Sequence, residues 1–304
     1  MEKRKEIEIK SLSKSFGKVK ALDNVSLSVE KGELFGLIGP DGAGKSTLFN
    51  LLVTLLNPDG GQAEIAGMDL LQDYKKIRKI IGYLPGQFSL YGDLSCMENL
   101  EFFATLYGEN IEDNYELIRP IWEQLLPFKN RKASALSGGM KQKLALCCAL
   151  VHKPEILFLD EPTTGVDPVS RKELWGILQR LKEDNITVFV STSYMDEATL
   201  CNRIALIQNG KILGCDTPDN IKSAFKGNLF SIQTDDIYRM LQYLDNYPAE
   251  DIYASGQCVN VVLKHIEDAE NLSAYIHQSG IAVNECKFVK PAIEDCFIQL
   301  MRNT

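Results

Sequence analysis

Gly39, Pro40, Asp41, Gly42, Ala43, Gly44, Lys45 and Ser46 fit the spacing G-x-x-x-x-G-K-S, with Thr47 following. Glycines so placed let successive backbone N–H groups turn inward around an anion, and a helix starting at Lys45 aims its positive end at the same point. Lys45 adds a point charge for β- and γ-phosphates, Ser46 a hydroxyl for Mg²⁺, and Thr47 a donor for the α-phosphate. A second pair of groups, Asp160 and Glu161, ends the apolar run Ile156-Leu157-Phe158-Leu159. Beside a triphosphate, Asp160 would hold Mg²⁺ through water and Glu161 would polarise the attacking water as general base.

A third constellation precedes them. Leu136-Ser137-Gly138-Gly139-Met140-Lys141-Gln142 puts a hydroxyl and two glycines at the start of a helical stretch, a second anion site. One chain needs two such sites only if each serves a different nucleotide. That arithmetic implies a head-to-tail dimer, each ATP clamped between one subunit's Gly39–Thr47 loop and the other's Ser137–Gln142 segment.

The elements that must hold these groups alternate. Strand-like stretches at Ile7–Ile9 and Val25–Val29 precede the buried run Leu34–Ile38, which feeds the glycine-rich turn. A helix is expected over Lys45–Leu56, strands at Ile80–Leu84, Ile156–Leu159 and Thr187–Ser191, and a helix over Val169–Glu183. This is the pattern of an α/β sheet flanked by helices. Residues of about 90–150 show mostly helical periodicity, a helical insertion between two nucleotide-facing strands. Beyond a boundary near 225 the pattern changes. Strands at Phe230–Gln233, Val259–Lys264 and Ile281–Val289 alternate with helices at Ile237–Leu244 and Ala269–Ser279, and a last helix, Pro291–Met301, starts on proline. The expected domains are 1–224 and a small α+β domain, 225–304.

Composition narrows the classes. The chain has 304 residues with 33 basic and 41 acidic side chains, a net charge of −8. Residues 225–304 carry −5 of that charge. An acidic balance argues against nucleic acid as a partner. The N-terminal MEKRKEIEIK has no apolar h-region, and the longest apolar run, Leu144–Val151, is far below the ~20 residues of a membrane span. Eight scattered cysteines with no C-x-x-C pair read as reduced thiols of a cytosolic protein and not as a zinc site.

Together the motifs resemble the nucleotide-binding subunit of an ABC transporter over residues 7–224. The resemblance implies a P-loop NTPase cassette, a RecA-like core plus a helical subdomain at about 90–150, using ATP and Mg²⁺. It makes Gly39–Thr47 the Walker A loop and Asp160–Glu161 Walker B. Ser137, Gly138, Gly139 and Gln142 become the signature that serves a partner's site, Phe16 the aromatic that stacks on adenine, and Asp167 of Gly165-Val166-Asp167-Pro168 the D-loop carboxylate between subunits. The segment ending Pro291–Leu300 is similar to the C-terminal extension of exporter-type (ABC-2) ATPase subunits; dimer contact, regulation and stabilisation are all open as its role. The implied partners are ABC-2-type transmembrane permease subunits and a second ATP-binding subunit, hetero- or homodimeric, at the inner face of the cell membrane. The alternative is a soluble clamp or translation-type ATPase not coupled to transport.

Two positions depart from the family pattern. Tyr83-Leu84-Pro85-Gly86-Gln87 puts glycine where the family has a Mg²⁺-contacting glutamine, with Gln87 one residue late. A shift of the loop would let Gln87 reach the site as a catalytic and metal-binding group. Phe88, Leu90 and Tyr91 beyond it are candidates to line a groove for a membrane subunit's cytoplasmic helix. Ser191-Thr192-Ser193-Tyr194 puts Ser193 where the family has a histidine on the γ-phosphate. Serine cannot supply that cationic contact, so the expectation is slow hydrolysis at this chain's own Walker site and the weaker half of a heterodimeric pair.

Overall fold

A computed structural model describes residues 4–87 and 89–302. The described residues divide into two compact units, 4–218 and 219–302. In the first, β1 (Lys5–Phe16) and β2 (Val19–Glu30) form a long hairpin, followed by β3 (Leu34–Ile38) and α1 (Lys45–Leu52). Then come β4 (Gly60–Ile65), β5 (Met68–Asp69), α2 (Tyr74–Ile80) and β6 (Ile81–Leu84). Three helices, α3 (Cys96–Tyr107), α4 (Tyr115–Leu125) and α5 (Gly138–Leu150), precede β7 (Ile156–Asp160), α6 (Pro168–Glu183) and β8 (Thr187–Thr192). The hairpin β9 (Arg203–Gln208) and β10 (Lys211–Asp216) closes the unit.

A six-stranded sheet runs β10-β9-β3-β8-β7-β6, and an antiparallel sheet runs β2-β1-β4-β5. In the first sheet β9, β3, β8, β7 and β6 are parallel and only β10 is reversed. Parallel strands buried on both faces are mostly apolar, and every residue of β3, β7 and β8 is buried, with the polar Asp160, Ser191 and Thr192 gathered at the carboxyl ends of β7 and β8. Phe49 of α1 packs edge-on against Phe189 of β8, ring centroids 4.9 Å apart, in a core shared with Phe35 and Phe158. On α4 the buried residues Ile118, Ile121, Trp122 and Leu125 recur at helical spacing and form one apolar face. No helix among the described residues is long and apolar enough to cross a membrane.

α1 stops at Leu52, four residues before the expected Leu56. Thr54 takes a left-handed φ of 63°, and the N–H groups of Leu55 and Leu56 both turn back to the Asn50 carbonyl. Periodicity alone continues past this point, since Leu55 and Leu56 still match an apolar face.

α7 (Pro218–Ser223) starts on the last residue of the first unit, and the second continues with β11 (Asn228–Thr234), α8 (Ile237–Leu244), β12 (Asp251–Ser255), β13 (Cys258–Leu263), α9 (Ala269–Gln278), β14 (Val283–Phe288) and α10 (Ile293–Arg302). Its sheet runs β12-β13-β11-β14, all antiparallel. Phe230, Ile232, Val259 and Val261 on one face pack with Met240 and Leu244 of α8 and Leu272 and Ile276 of α9. α10 begins at Ile293, so Pro291 lies outside it. The buried Asp295 sets that start, accepting from the Ala292 N–H at 2.7 Å while its other oxygen takes the Tyr253 hydroxyl and the Asn260 amide.

Candidate nucleotide site

The turn between β3 and α1 holds the first group of candidate residues. Gly44 sits at φ 107°, a conformation an L side chain rarely adopts, and a Cβ there would lie 2.5 Å from the Ala21 carbonyl. The loop therefore packs directly against β2 at this glycine. Val19, Lys20, Ala21, Asp41, Gly42, Gly44, Lys45, Ser46, Thr47, Gly86, Asp160, Glu161, Thr164, Asn209 and Gly210 wall a cavity of about 520 Å³. That cavity lies at the carboxyl ends of parallel strands, the usual ligand position in open α/β sheets.

Lys45 is buried, and its ammonium donates to the carbonyls of Gly39 (2.7 Å) and Pro40 (2.9 Å) and lies 2.9 Å from Glu161 Oε1. Glu161 takes a left-handed φ of 48°, a strained position for a side chain of its size. The strain is held by its N–H, which donates to both the carbonyl and the hydroxyl of Ser191, and by Thr164, whose hydroxyl donates to Glu161 Oε2 at 3.0 Å. Asp160, at the end of β7, accepts the Ser191 hydroxyl at 2.6 Å through Oδ1. A hydroxyl (Ser46) and a carboxylate (Asp160) in the same wall are oxygen donors suited to Mg²⁺, which takes one or two protein ligands beside phosphate oxygens and water.

Six sequence candidates for this site do not line the wall: Gly39, Pro40 and Ala43 of the loop itself, and Gln87, Phe16 and Ser193. Gln87 is exposed and does not line the cavity; Gly86 does, and a Cβ on Gly86 would lie 3.2 Å from the Asp160 carbonyl and 3.8 Å from Asp160 Oδ2. The position facing the Asp160 carboxylate thus has no side chain, and Gln87 stands outside the wall. Phe16, half exposed at the end of β1, is also outside the wall, where its cross-strand partner Val19 stands instead. Ser193 is half-buried and likewise does not line the cavity. Both its neighbours are anchored behind it: the Thr192 hydroxyl donates to buried Glu197 at 2.5 Å, and the Arg171 guanidinium lies 4.0 Å over the Tyr194 ring.

The structure also adds residues that sequence reasoning missed. Asn209 and Gly210 form the β9–β10 turn in left-handed conformations, and the Gly210 N–H donates to the Ala43 carbonyl, bracing the phosphate loop. Their Asn-Gly pair between apolar runs is a hairpin signal that could have located them.

The second candidate cluster lies outside the cavity wall. Ser137 caps α5, accepting from the Met140 N–H, and Asp167 caps α6, accepting from Val169 and Ser170. The Ser170 N–H and hydroxyl hold the Asp167 carboxyl below the usual carboxylate range. The two caps are adjacent, because a Cβ on Gly139 would come within 2.6 Å of Ser170 Oγ. Gly138 is exposed at the same helix end and Gln142 is half-buried one turn on.

Comparison with known proteins decides the family. The ABC transporter profile matches residues 22–164. The daunorubicin resistance ATP-binding protein DrrA2 of Streptomyces coeruleorubidus is 32% identical over 97% of this chain and 94% of its own length. This chain belongs to the ABC transporter ATP-binding family. The "Probable multidrug ABC transporter ATP-binding protein" YbhF of Escherichia coli K12 is 46% identical over 71% of this ABC chain, which spans only 38% of that relative's length. Among solved structures, an ATP-binding subunit of an ABC transporter superposes with a TM-score of 0.66 at 28% identity, covering 71% of this chain and 92% of its own. The ATP-binding cassette MJ0796 bound to ADP and Pi gives 0.63 at 28% identity, covering 69% and 98%. The ABC cassette therefore accounts for the first unit's fold, a P-loop NTPase.

Proposed function

We propose that this ABC chain hydrolyses ATP to ADP and phosphate with Mg²⁺ and couples that reaction to a membrane exporter of the ABC-2 type. The observation that carries the reading is one cavity walled by Lys45, Ser46, Asp160 and Glu161. The loop N–H groups and the N-terminus of α1 bind the phosphates, and Lys45 neutralises the β- and γ-oxygens. Mg²⁺, on Ser46 and near Asp160, would offset phosphate charge as the γ-phosphoryl leaves. Glu161, positioned by Ser191 and Thr164, accepts a proton from the attacking water. Ser137, Gly138, Gly139 and Gln142 act on the γ-phosphate of a second cassette, and Asp167 lies at the same subunit contact. Phe16, exposed beside the cavity, supplies the adenine stack once nucleotide enters.

A groove of about 300 Å³ supports the permease partner. It is lined by Tyr83, Leu84, Leu90, Phe103, Tyr107 and Cys148 among others, an apolar wall between β6 and the helices α3 and α5. Tyr91 is exposed beside it and packs on Phe102, while Phe88 lies outside the described residues. A short amphipathic helix of a membrane subunit fits such a slot. Docking there would hold this chain at the cytoplasmic face of the membrane.

Ser193 makes this chain's own Walker site slow, because no imidazole reaches the γ-phosphate. Loss of a positioned proton-transfer group costs on the order of 10²–10⁴-fold in rate. On that residue alone the second cassette is an unlike one with an intact switch histidine. A second reading, pairing with another copy of this chain, is favoured by the edge strand described below. The test is phosphate release by the purified chain, beside its Ser193→His and Glu161→Gln variants. Ser193→His should raise turnover at least tenfold and Glu161→Gln should abolish it. Wild-type turnover that neither substitution changes would sink the slow-site reading and the general-base role together. Co-purification with transmembrane subunits from membranes tests the coupling.

A further inference from the structure

The sheet of the second unit ends on β14, which pairs only with β11 among the described residues. Asn284, Glu285, Cys286, Lys287 and Phe288 are all exposed. The Val289 N–H donates to the Leu229 carbonyl at 2.9 Å, one step beyond the Phe230–Phe288 pairing. Facing residues of an antiparallel ladder alternate between those that exchange hydrogen bonds and those that do not. Glu285 and Lys287, in phase with Val289, therefore commit their backbone groups to β11. Cys286 and Phe288 aim theirs away from the sheet, as a template for another strand, while Asn284 is the extra residue where the register shifts between the Gln233–Glu285 and Thr234–Val283 pairs.

We propose that this edge pairs with the β14 edge of a second copy of this chain, antiparallel about a two-fold axis at Cys286. A two-fold axis sets a strand against itself antiparallel, so the edge must complement itself. Outward-pointing residues must face outward-pointing residues, which leaves registers centred on Cys286 or Lys287; longer slides shorten the overlap. Centring on Lys287 sets two ammonium groups face to face. Centring on Cys286 places Glu285 opposite the partner's Lys287 and Lys287 opposite the partner's Glu285. Those are non-hydrogen-bonded sites, where facing side chains approach closest and opposite charges attract. Within one chain Lys287 Nζ already lies 2.6 Å from Glu285 Oε2, so both charges occupy the same face. Phe288, 51% exposed and edge-on to Phe230, is covered from its open side by the second strand.

The inference rests on this strand and not on the ATPase reading, so it is tested on the full chain without nucleotide. Sedimentation equilibrium should show a dimer at micromolar concentration. Glu285→Lys should weaken it at least tenfold, and Glu285→Lys with Lys287→Glu should restore it. In a Cys215→Ser, Cys258→Ser background, which removes the other accessible thiols, a short bis-maleimide should cross-link two chains through Cys286, and Cys286→Ser should abolish the product. A monomer at tens of micromolar, a dimer indifferent to Glu285→Lys, or a cross-link that survives Cys286→Ser would each overturn the pairing. Where Glu285→Lys impairs folding, the cross-link comparison decides alone.

Discussion

The Lys45 ammonium lies 2.9 Å from the Glu161 carboxylate, so the proposed phosphate-binding cation and the proposed general base are partners across one cavity. Lys45 is nearly fully buried, whereas Glu161 keeps some solvent contact. Triphosphate binding sets phosphate oxygens in competition with Glu161 for that ammonium, and a Lys45 drawn to phosphate leaves the carboxylate to accept a proton. Glu161→Gln removes the competition and the base together. We expect phosphate release to fall by about 10²–10⁴-fold while ATP affinity holds or rises. Single-turnover phosphate release and titration with a fluorescent ATP analogue read the two effects separately.

Gly86 faces Asp160 with no side chain of its own. Gly86→Gln would place an amide oxygen toward Asp160, the proposed Mg²⁺ carboxylate, since Gly86 has no left-handed backbone and a Cβ there would lie 3.2 Å from its nearest neighbour. The expected result is a lower Mg²⁺ concentration for half-maximal hydrolysis. Gln87→Ala should leave that concentration unchanged, because Gln87 is outside the cavity wall. A large shift with Gln87→Ala would reverse the assignment.

Gly139 is the point where α5 meets α6. A methyl group there would meet Ser170 Oγ at 2.6 Å and Ser170 Cβ at 2.9 Å. Gly139→Ala should cost roughly 1–3 kcal/mol from overpacking. Ser170→Ala removes the nearer of the two atoms and should recover part of that loss in the double variant. Denaturant unfolding of the two singles and the double completes the cycle.

His152 carries a pH dependence of stability. Its ring stacks on Tyr107 at 3.7 Å, and Nε2–H donates to the Ile81 carbonyl, which fixes the tautomer. Burial holds the imidazole below its ordinary value of 6.5. As pH falls through 6.5 the unfolded chain takes up the proton and the folded chain resists it. The stability contribution is therefore complete above 6.5 and declines below it. His152→Gln should flatten the loss between pH 7.5 and about 5.5 in chemical denaturation.

Contiguous chemistry was readable from the chain alone. The phosphate loop, the Asp160–Glu161 pair and the Ser137 cap are runs of neighbouring residues whose local backbone rules suffice to place them. The same holds for Ile237–Leu244, whose N-terminal end is fixed by the adjacent Asp236, accepting from the Arg239 N–H at 3.0 Å. Tertiary structure decided the matters that depend on distant strands. Which of Gly86 and Gln87 faces Asp160 is set by the bend that follows β6, which the pairing of β6 with β7 brings beside Asp160. Val19 stands at the cavity where Phe16 was expected because the β1–β2 hairpin sets the two across from each other. Asn209 and Gly210 are far from Ala43 in sequence, and only the placement of β9 beside β3 brings their turn against the phosphate loop. The charge order Glu285-Cys286-Lys287 is visible in one dimension. That it lies on an open sheet edge is a property of the β12-β13-β11-β14 order, because pairing uses up every other edge in that sheet except β12.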